Sequence, residues 1–326
     1  MQQTPDVRTV LAVKALNGER PGWSIARQRL FWVDIRGPNL HEFNPVDGTD
    51  RFWEMPSWIG CHALTSAGAV VALRTGLYHF DIEADTLTAT AVAPFDTRRF
   101  IFNDGRCDRR GRLFAGTMYV PLNPAPDLDD AAQRTPLWRY DGNGRWSEAT
   151  PPVATSNGLA WSPDGRRMYH ADTARKRIWC YEYDEATGTA ANRAVFADLS
   201  DSAGAPDGAT VDRDGFYWCA VYGGGELRRY DPAGVVERRV AMPTIYPTMP
   251  ALGGADLTTM FVTSANWQLP KAQRGRTPDG DLFAFEAPCP GLPPSLFDAT
   301  KLPTLRPAQE SQNTQRQSRR SAGNVA

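Results

Sequence analysis

Short clusters of apolar and aromatic residues, each fenced by turn-forming residues, recur along the chain. Leu30-Phe31-Trp32-Val33-Asp34-Ile35 is the clearest. Val70-Val71-Ala72-Leu73, Leu113-Phe114-Ala115, Met168-Tyr169-His170-Ala171, Tyr217-Trp218-Cys219-Ala220-Val221 and Met260-Phe261-Val262-Thr263-Ser264 repeat it. Their β-branched, aromatic and small residues favour buried strands. Turn signals precede them, among them Ser66-Ala67-Gly68, Asp108-Arg109-Arg110-Gly111, Ser162-Pro163-Asp164-Gly165 and Asp212-Arg213-Asp214-Gly215. No segment sustains a helical period. The six clusters lie about 40 to 55 residues apart, the period of propeller blades of about four strands each. The expected fold is therefore all-β, a six-bladed β-propeller around a central channel. Residues 10–15 form a candidate first strand. Asp281-Leu282-Phe283-Ala284-Phe285 forms a last one, expected to share with N-terminal residues the blade that closes the ring.

A second repeat sits just ahead of three of these clusters. Phe102-Asn103-Asp104-Gly105, Ser156-Asn157-Gly158-Leu159 and Pro206-Asp207-Gly208-Ala209 place an oxygen-bearing side chain at the same point of the phrase. One such phrase alone is ordinarily a turn. Three in register suggest three blades aiming Asn103, Asn157 and Asp207 at one shared axis.

Composition narrows the function classes. Residues 1–300 read as one propeller domain, because closed all-β folds reach this length and no linker interrupts it. From residue 301 the chain turns polar, and the stretch 309–320 has no large apolar residue, so residues 301–326 are expected to form a disordered tail. A formal net charge of −1 gives no field toward nucleic acid. No apolar run is long enough to cross a bilayer and no secretory leader pattern opens the chain, so the expected compartment is the cytoplasm, with no membrane partner. Five cysteines lack Cys-x-x-Cys spacing and read as buried thiols. There is no nucleophile elbow, zinc-binding helix motif or Walker-type loop. His62 reads as a packed or surface histidine, and Gly223-Gly224-Gly225 as a tight strand connection.

Several strings carry a resemblance: Gly18-Glu19-Arg20-Pro21-Gly22-Trp23, Leu30-Phe31-Trp32-Val33-Asp34-Ile35, Asn103-Asp104-Gly105, Phe114-Ala115-Gly116-Thr117-Met118, Asn157-Gly158-Leu159-Ala160-Trp161, Pro206-Asp207-Gly208 and Val262-Thr263-Ser264-Ala265. Together they resemble the SMP-30/gluconolactonase/LRE family of regucalcin-like proteins and sugar lactonases. The resemblance implies a six-bladed propeller with a metal site in the central channel, one divalent ion held by Glu19, Asn157 and Asp207. Asn103 lies beside it, contacting water or substrate. Three oxygen donors suit Ca²⁺ first, with Mg²⁺, Mn²⁺ and Zn²⁺ as alternatives. The implied reaction is hydrolysis of a lactone, of the aldonolactone or gluconolactone type, to its hydroxy acid, with Asp207 as the base that activates water. The implied partner is a small-molecule lactone, and the protein is expected to be a monomer or weak homodimer. The alternatives are a non-catalytic calcium-binding regulatory propeller, and an esterase or phosphotriesterase-like hydrolase on the same metal.

The chain also departs from the family pattern. Ile101 stands where relatives commonly carry a substrate-holding arginine, Arg20 where glycine is usual, and Pro121 where some relatives have an acidic substrate contact. Asn103, Ile101, Arg20 and Tyr119 are therefore the candidate substrate-binding positions. Tyr222, Tyr246 and Trp267 are further candidates in channel-end loops. The expectation is a retained pocket floor with an altered wall.

Overall fold

The protein is described from a computed structural model over residues 5–120 and 126–303. Pro121 and the polar stretch 309–320 lie outside the described residues. Within them, the strands form six four-stranded antiparallel sheets. The helical segments there are two single 3₁₀ turns, Ala131–Gln133 and Ala299–Lys301. The architecture is a six-bladed β-propeller, and no helix among the described residues is long and apolar enough to cross a membrane.

The apolar clusters are the second strand of each blade: Arg29–Asp34, Ala69–Leu73, Leu113–Tyr119, Arg167–Asp172, Tyr217–Tyr222 and Thr259–Ser264. Blades stack face to face, so these strands are covered on both sides, which is why they read as continuous apolar runs instead of alternating ones. Ala69–Leu73 is buried at every position, whereas the outermost strand of the fourth blade, Thr189–Asp198, is mostly exposed. Aromatic rings lock neighbouring blades together. Tyr169 and Phe196 of the fourth blade meet Tyr217 and Tyr230 of the fifth, with centroids 4.9 to 5.9 Å apart.

The innermost strands, Gly18–Ser24, Ile59–Leu64, Phe100–Cys107, Ser156–Trp161, Ala205–Val211 and Pro247–Gly253, stand side by side around the channel. The ring closes as expected: Arg8–Leu11 pairs antiparallel with Leu282–Glu286, placing Arg8 opposite Ala284. The first strand is shifted from the expected residues 10–15. Lys14 adopts a left-handed φ of 56°, which ends extended backbone, and the strand's outer position leaves Arg8 and Thr9 exposed, so hydropathy gives it little signal. Near the other end of the described residues the Lys301 carbonyl accepts hydrogen bonds from the Asn143 backbone N–H and the Tyr140 hydroxyl, so Lys301 is docked on the third blade.

A carboxylate at the end of the second strand fixes the entry to the inner strand. Asp34 accepts N–H bonds from Leu16 and Asn17, and from Arg36 and Gly37 on the following loop, all at 2.8 to 3.1 Å. Asp172 does the same in the fourth blade for Ala154 and Thr155, both at 3.2 Å.

Candidate active site at the channel mouth

Each of the six inner strands breaks register against its second strand at the same height: between Glu19 and Gly22, Ile59 and Cys61, Phe102 and Gly105, Asn157 and Ala160, Pro206 and Ala209, and Pro247 and Met249. A bulge adds a residue to one strand and re-aims the side chains around it. This is the physical form of the repeated phrase, since Glu19, Asn103, Asn157 and Asp207 each stand at or inside a break. Close approach explains two of its glycines. Gly158 has φ 61°, and a Cβ there would lie 2.4 Å from the Tyr217 hydroxyl; at Gly208 it would lie 2.4 Å from Met249 Cγ. Arg20 takes the same left-handed conformation, φ 49°, with a full side chain.

Hydrogen bonds draw three blades together at this height. Asn103 Nδ2 donates to Asn157 Oδ1 at 3.0 Å and to the Ser156 carbonyl at 2.9 Å. Asn157 Nδ2 donates to Thr173 Oγ1 at 2.8 Å, and that hydroxyl donates to the Pro206 carbonyl at 2.8 Å. Asp207 is the next residue, and the first blade supplies Glu19.

All four site residues are buried, and the two acids lie within electrostatic reach of each other. Burial first, then the charges of Asp207 and Asp104, holds Glu19 well above the ordinary carboxylate range. Burial and then Asp104 does the same to Asp207. The backbone N–H groups of Arg20, 3.1 Å from Glu19 Oε2, and of Gly208 offset this only in part. Neither acid forms an ion pair with a side chain among the described residues. Sequence reasoning passed over Asp104. Its Oδ2 accepts from the Leu159 N–H at 2.9 Å, while its buried Oδ1 has no partner. Its adjacency to Asn103 inside the same break was the available signal.

The remaining expected residues are distributed differently. Ile101 is buried opposite Met118 in the third blade. Tyr119 packs edge-on against Phe100, with the Arg99 guanidinium 5.6 Å above its ring. The Arg20 guanidinium turns down the channel, where Nε donates to the Gly105 carbonyl and Nη1 to that of Pro21. It lines a cavity of about 130 Å³ at the downstream ends of the inner strands, together with His62 and Arg106 and beneath residues 291–296. There burial and the neighbouring Arg20 charge push the His62 imidazole down and bring Arg106 to about 9. Of the aromatic candidates, Tyr222 lies near both Asp207 and Glu19 and pairs with Tyr246, ring centroids 5.1 Å apart.

Six blades that gather carboxylates and amides at one end of a common channel define an oxygen-lined channel-site propeller. Residues 17–266 match the family described as the SMP-30/gluconolactonase/LRE-like region, and the chain belongs to that family. It is 35% identical over 294 residues to a 6-deoxy-6-sulfogluconolactonase of Pseudomonas putida, covering 89% of this chain and 98% of the relative. It is also 35% identical over 289 residues to an L-arabinolactonase of Azospirillum brasilense, covering 87% of this chain and 92% of that one. Among solved structures, a calcium-binding protein, regucalcin, of Agrobacterium tumefaciens superimposes with a TM-score of 0.83 at 26% identity, over 90% of this chain and 98% of that one.

Proposed function

We propose that the protein is a lactonase that opens a sugar-derived lactone to its hydroxy acid at Glu19, Asn103, Asn157 and Asp207. The observation that carries this reading is the pair of buried, mutually repelling carboxylates of Glu19 and Asp207 beside two amides, with no direct ion pair among the described residues and only the Arg20 charge partly offsetting Glu19. The lactonase names of the relatives matched over most of their length support it.

The donor set fits one divalent cation. Among the described residues no three His, Cys, Asp or Glu side chains converge to hold an ion by themselves. The Asn157 amide oxygen, which has a second lone pair beyond its bond from Asn103, would complete a three-oxygen set with Glu19 and Asp207 suited to Ca²⁺, Mg²⁺, Mn²⁺ or Zn²⁺. Such an ion, when bound, supplies Lewis-acid polarisation of a carbonyl and acidifies water. Asp207 takes a proton from water as the water oxygen bonds to the lactone carbonyl carbon. It returns that proton to the ring oxygen as the carbon–oxygen bond breaks. Asn103 orients the substrate through its amide.

A pH-indicator assay on metal-stripped protein, with Ca²⁺, Mg²⁺, Mn²⁺ and Zn²⁺ added back singly against aldono-1,4- and 1,5-lactones, tests this reading. Acid release restored by one metal is expected, and Asp207→Asn should lower it by about 10² to 10⁴-fold while the far-ultraviolet spectrum stays unchanged. Full activity in that variant would remove Asp207 from the mechanism. Absence of acid release with every metal and lactone, alongside metal-dependent thermal stabilisation, would overturn the lactonase reading in favour of a calcium-binding propeller.

A further inference from the structure

The wall of the site carries a cation that neither the motifs nor the proposed mechanism uses. Arg36 follows the second strand of the first blade, at the end of the ring where Glu19 lies. Asp34 fixes it there, because one carboxylate accepts the Arg36 N–H at 3.1 Å and the Leu16 and Asn17 N–H groups that lead into Glu19. Its guanidinium carbon lies 4.1 Å from the ring centroid of Trp267 and 5.0 Å from that of Trp58. These rings come from the sixth and second blades, so three blades build the clamp. Tyr222, from the fifth, lies within electrostatic reach of Arg36 and of both Asp207 and Glu19, and its hydroxyl is buried without a partner.

The Arg36 side chain makes no hydrogen bond or ion pair with any described residue, although it is half-buried. Arg274 adds a second positive charge nearby, anchored by Nη2 to the Trp267 carbonyl at 2.5 Å and by Nε to that of Leu269 at 3.1 Å. The Asp34 carboxylate offsets part of the Arg36 charge without a hydrogen bond to its guanidinium, so two mutually repelling guanidinium groups at a half-buried rim are further stabilised by an anion that bonds the free N–H groups directly. A guanidinium stacked on aromatic rings keeps its in-plane N–H fork free, and that fork matches the oxygens of a carboxylate, sulfonate or phosphate. The floor of the same mouth is acidic, so a ligand reaching both levels needs an anionic end at the rim and a neutral, electrophilic end below. Ile101 itself is buried and apolar and offers the ligand no polar contact.

We propose that Arg36, clamped by Trp58 and Trp267 and supported by Arg274, binds an anionic group on the substrate, so that the preferred substrates are lactones bearing a carboxylate, sulfonate or phosphate away from the reacting ring carbonyl. This rests on the lactonase reading for the ring chemistry, but its test does not need turnover. Calorimetric binding of gluconate, glucarate and 6-phosphogluconate to the full-length protein compares ligands that share a carboxylate and hydroxyl chain and differ in the second anionic group. The wild type should bind glucarate or 6-phosphogluconate at least about tenfold tighter than gluconate. Arg36→Met should bring the doubly anionic ligands down to the gluconate affinity, Arg36→Lys should retain part of the margin, and Trp267→Ala should lose part of it. The relative margins of glucarate and 6-phosphogluconate identify which anion the rim prefers. Equal affinity for all three ligands in the wild type, or a margin that survives Arg36→Met, overturns the proposal. If no lactone is hydrolysed, the lactonase reading falls while the binding margin still decides the role of Arg36.

Discussion

His170 illustrates how position overrides the intrinsic chemistry of a side chain. It is fully buried in the second strand of the fourth blade, with Nε2 2.6 Å from Ser156 Oγ and Nδ1 without a partner. Burial, with a smaller effect from Arg193, brings its pKa from 6.5 to about 3. A histidine lowered in the fold contributes stability that is fully present above the unfolded value and is lost as pH falls through the window from 6.5 toward 3. Urea unfolding at stepped pH should therefore show up to about 1.4 kcal/mol lost per pH unit from this one ring, a slope that His170→Gln removes. At the same scale, sequence reading reached Glu19, Asn103, Asn157 and Asp207, three through a phrase repeated in register and Glu19 through family resemblance. It missed Asp104 and Arg36. Asp104 shares a bulge with Asn103 but not its register in the phrase, and the free guanidinium of Arg36 becomes visible only when loops from different blades meet.

The unit that positions the site is the bulged inner strand together with the carboxylate that seals its entry. Asp34 satisfies four backbone N–H groups at once. Its removal leaves donors unpaired in a packed loop and frees both Glu19 and Arg36. Asp34→Ala should cost on the order of 3 kcal/mol in urea unfolding and lower lactone turnover even though the residue touches no substrate. Asp34→Asn, which keeps one accepting oxygen, should fall between it and the wild type. The second strands were legible because they are buried on both faces, and their apolar runs stand out against the turns. The outermost strands were less so: Arg8–Leu11 has one neighbouring strand and two exposed residues, and the left-handed backbone at Lys14 sets its limit.

The blade that closes the ring is completed by residues far away in sequence, since Arg8–Leu11 supplies its outermost strand. Deleting residues 1–12 should expose the Leu282–Glu286 edge. The melting temperature is then expected to drop by roughly 10 °C, and size-exclusion chromatography should show concentration-dependent association of the truncated chain. An unchanged, monomeric truncation would mean that the ring is held by the blade faces alone. The aromatic packing between the fourth and fifth blades shows what those faces contribute, but it does not satisfy the backbone groups of an open strand.

The sequence by itself determined the number of blades and the identity of their central strands, and set Asn103, Asn157 and Asp207 at one point of a repeated phrase, because each follows from a local period: apolar clusters at a fixed spacing and polar residues at a fixed place before them. The tertiary structure alone decided how those residues act. It set the mutual repulsion of Glu19, Asp104 and Asp207, turned Arg20 toward the far cavity, and placed Arg36 between two tryptophans from other blades. These depend on burial and on distances between segments remote in the chain, which no local pattern encodes.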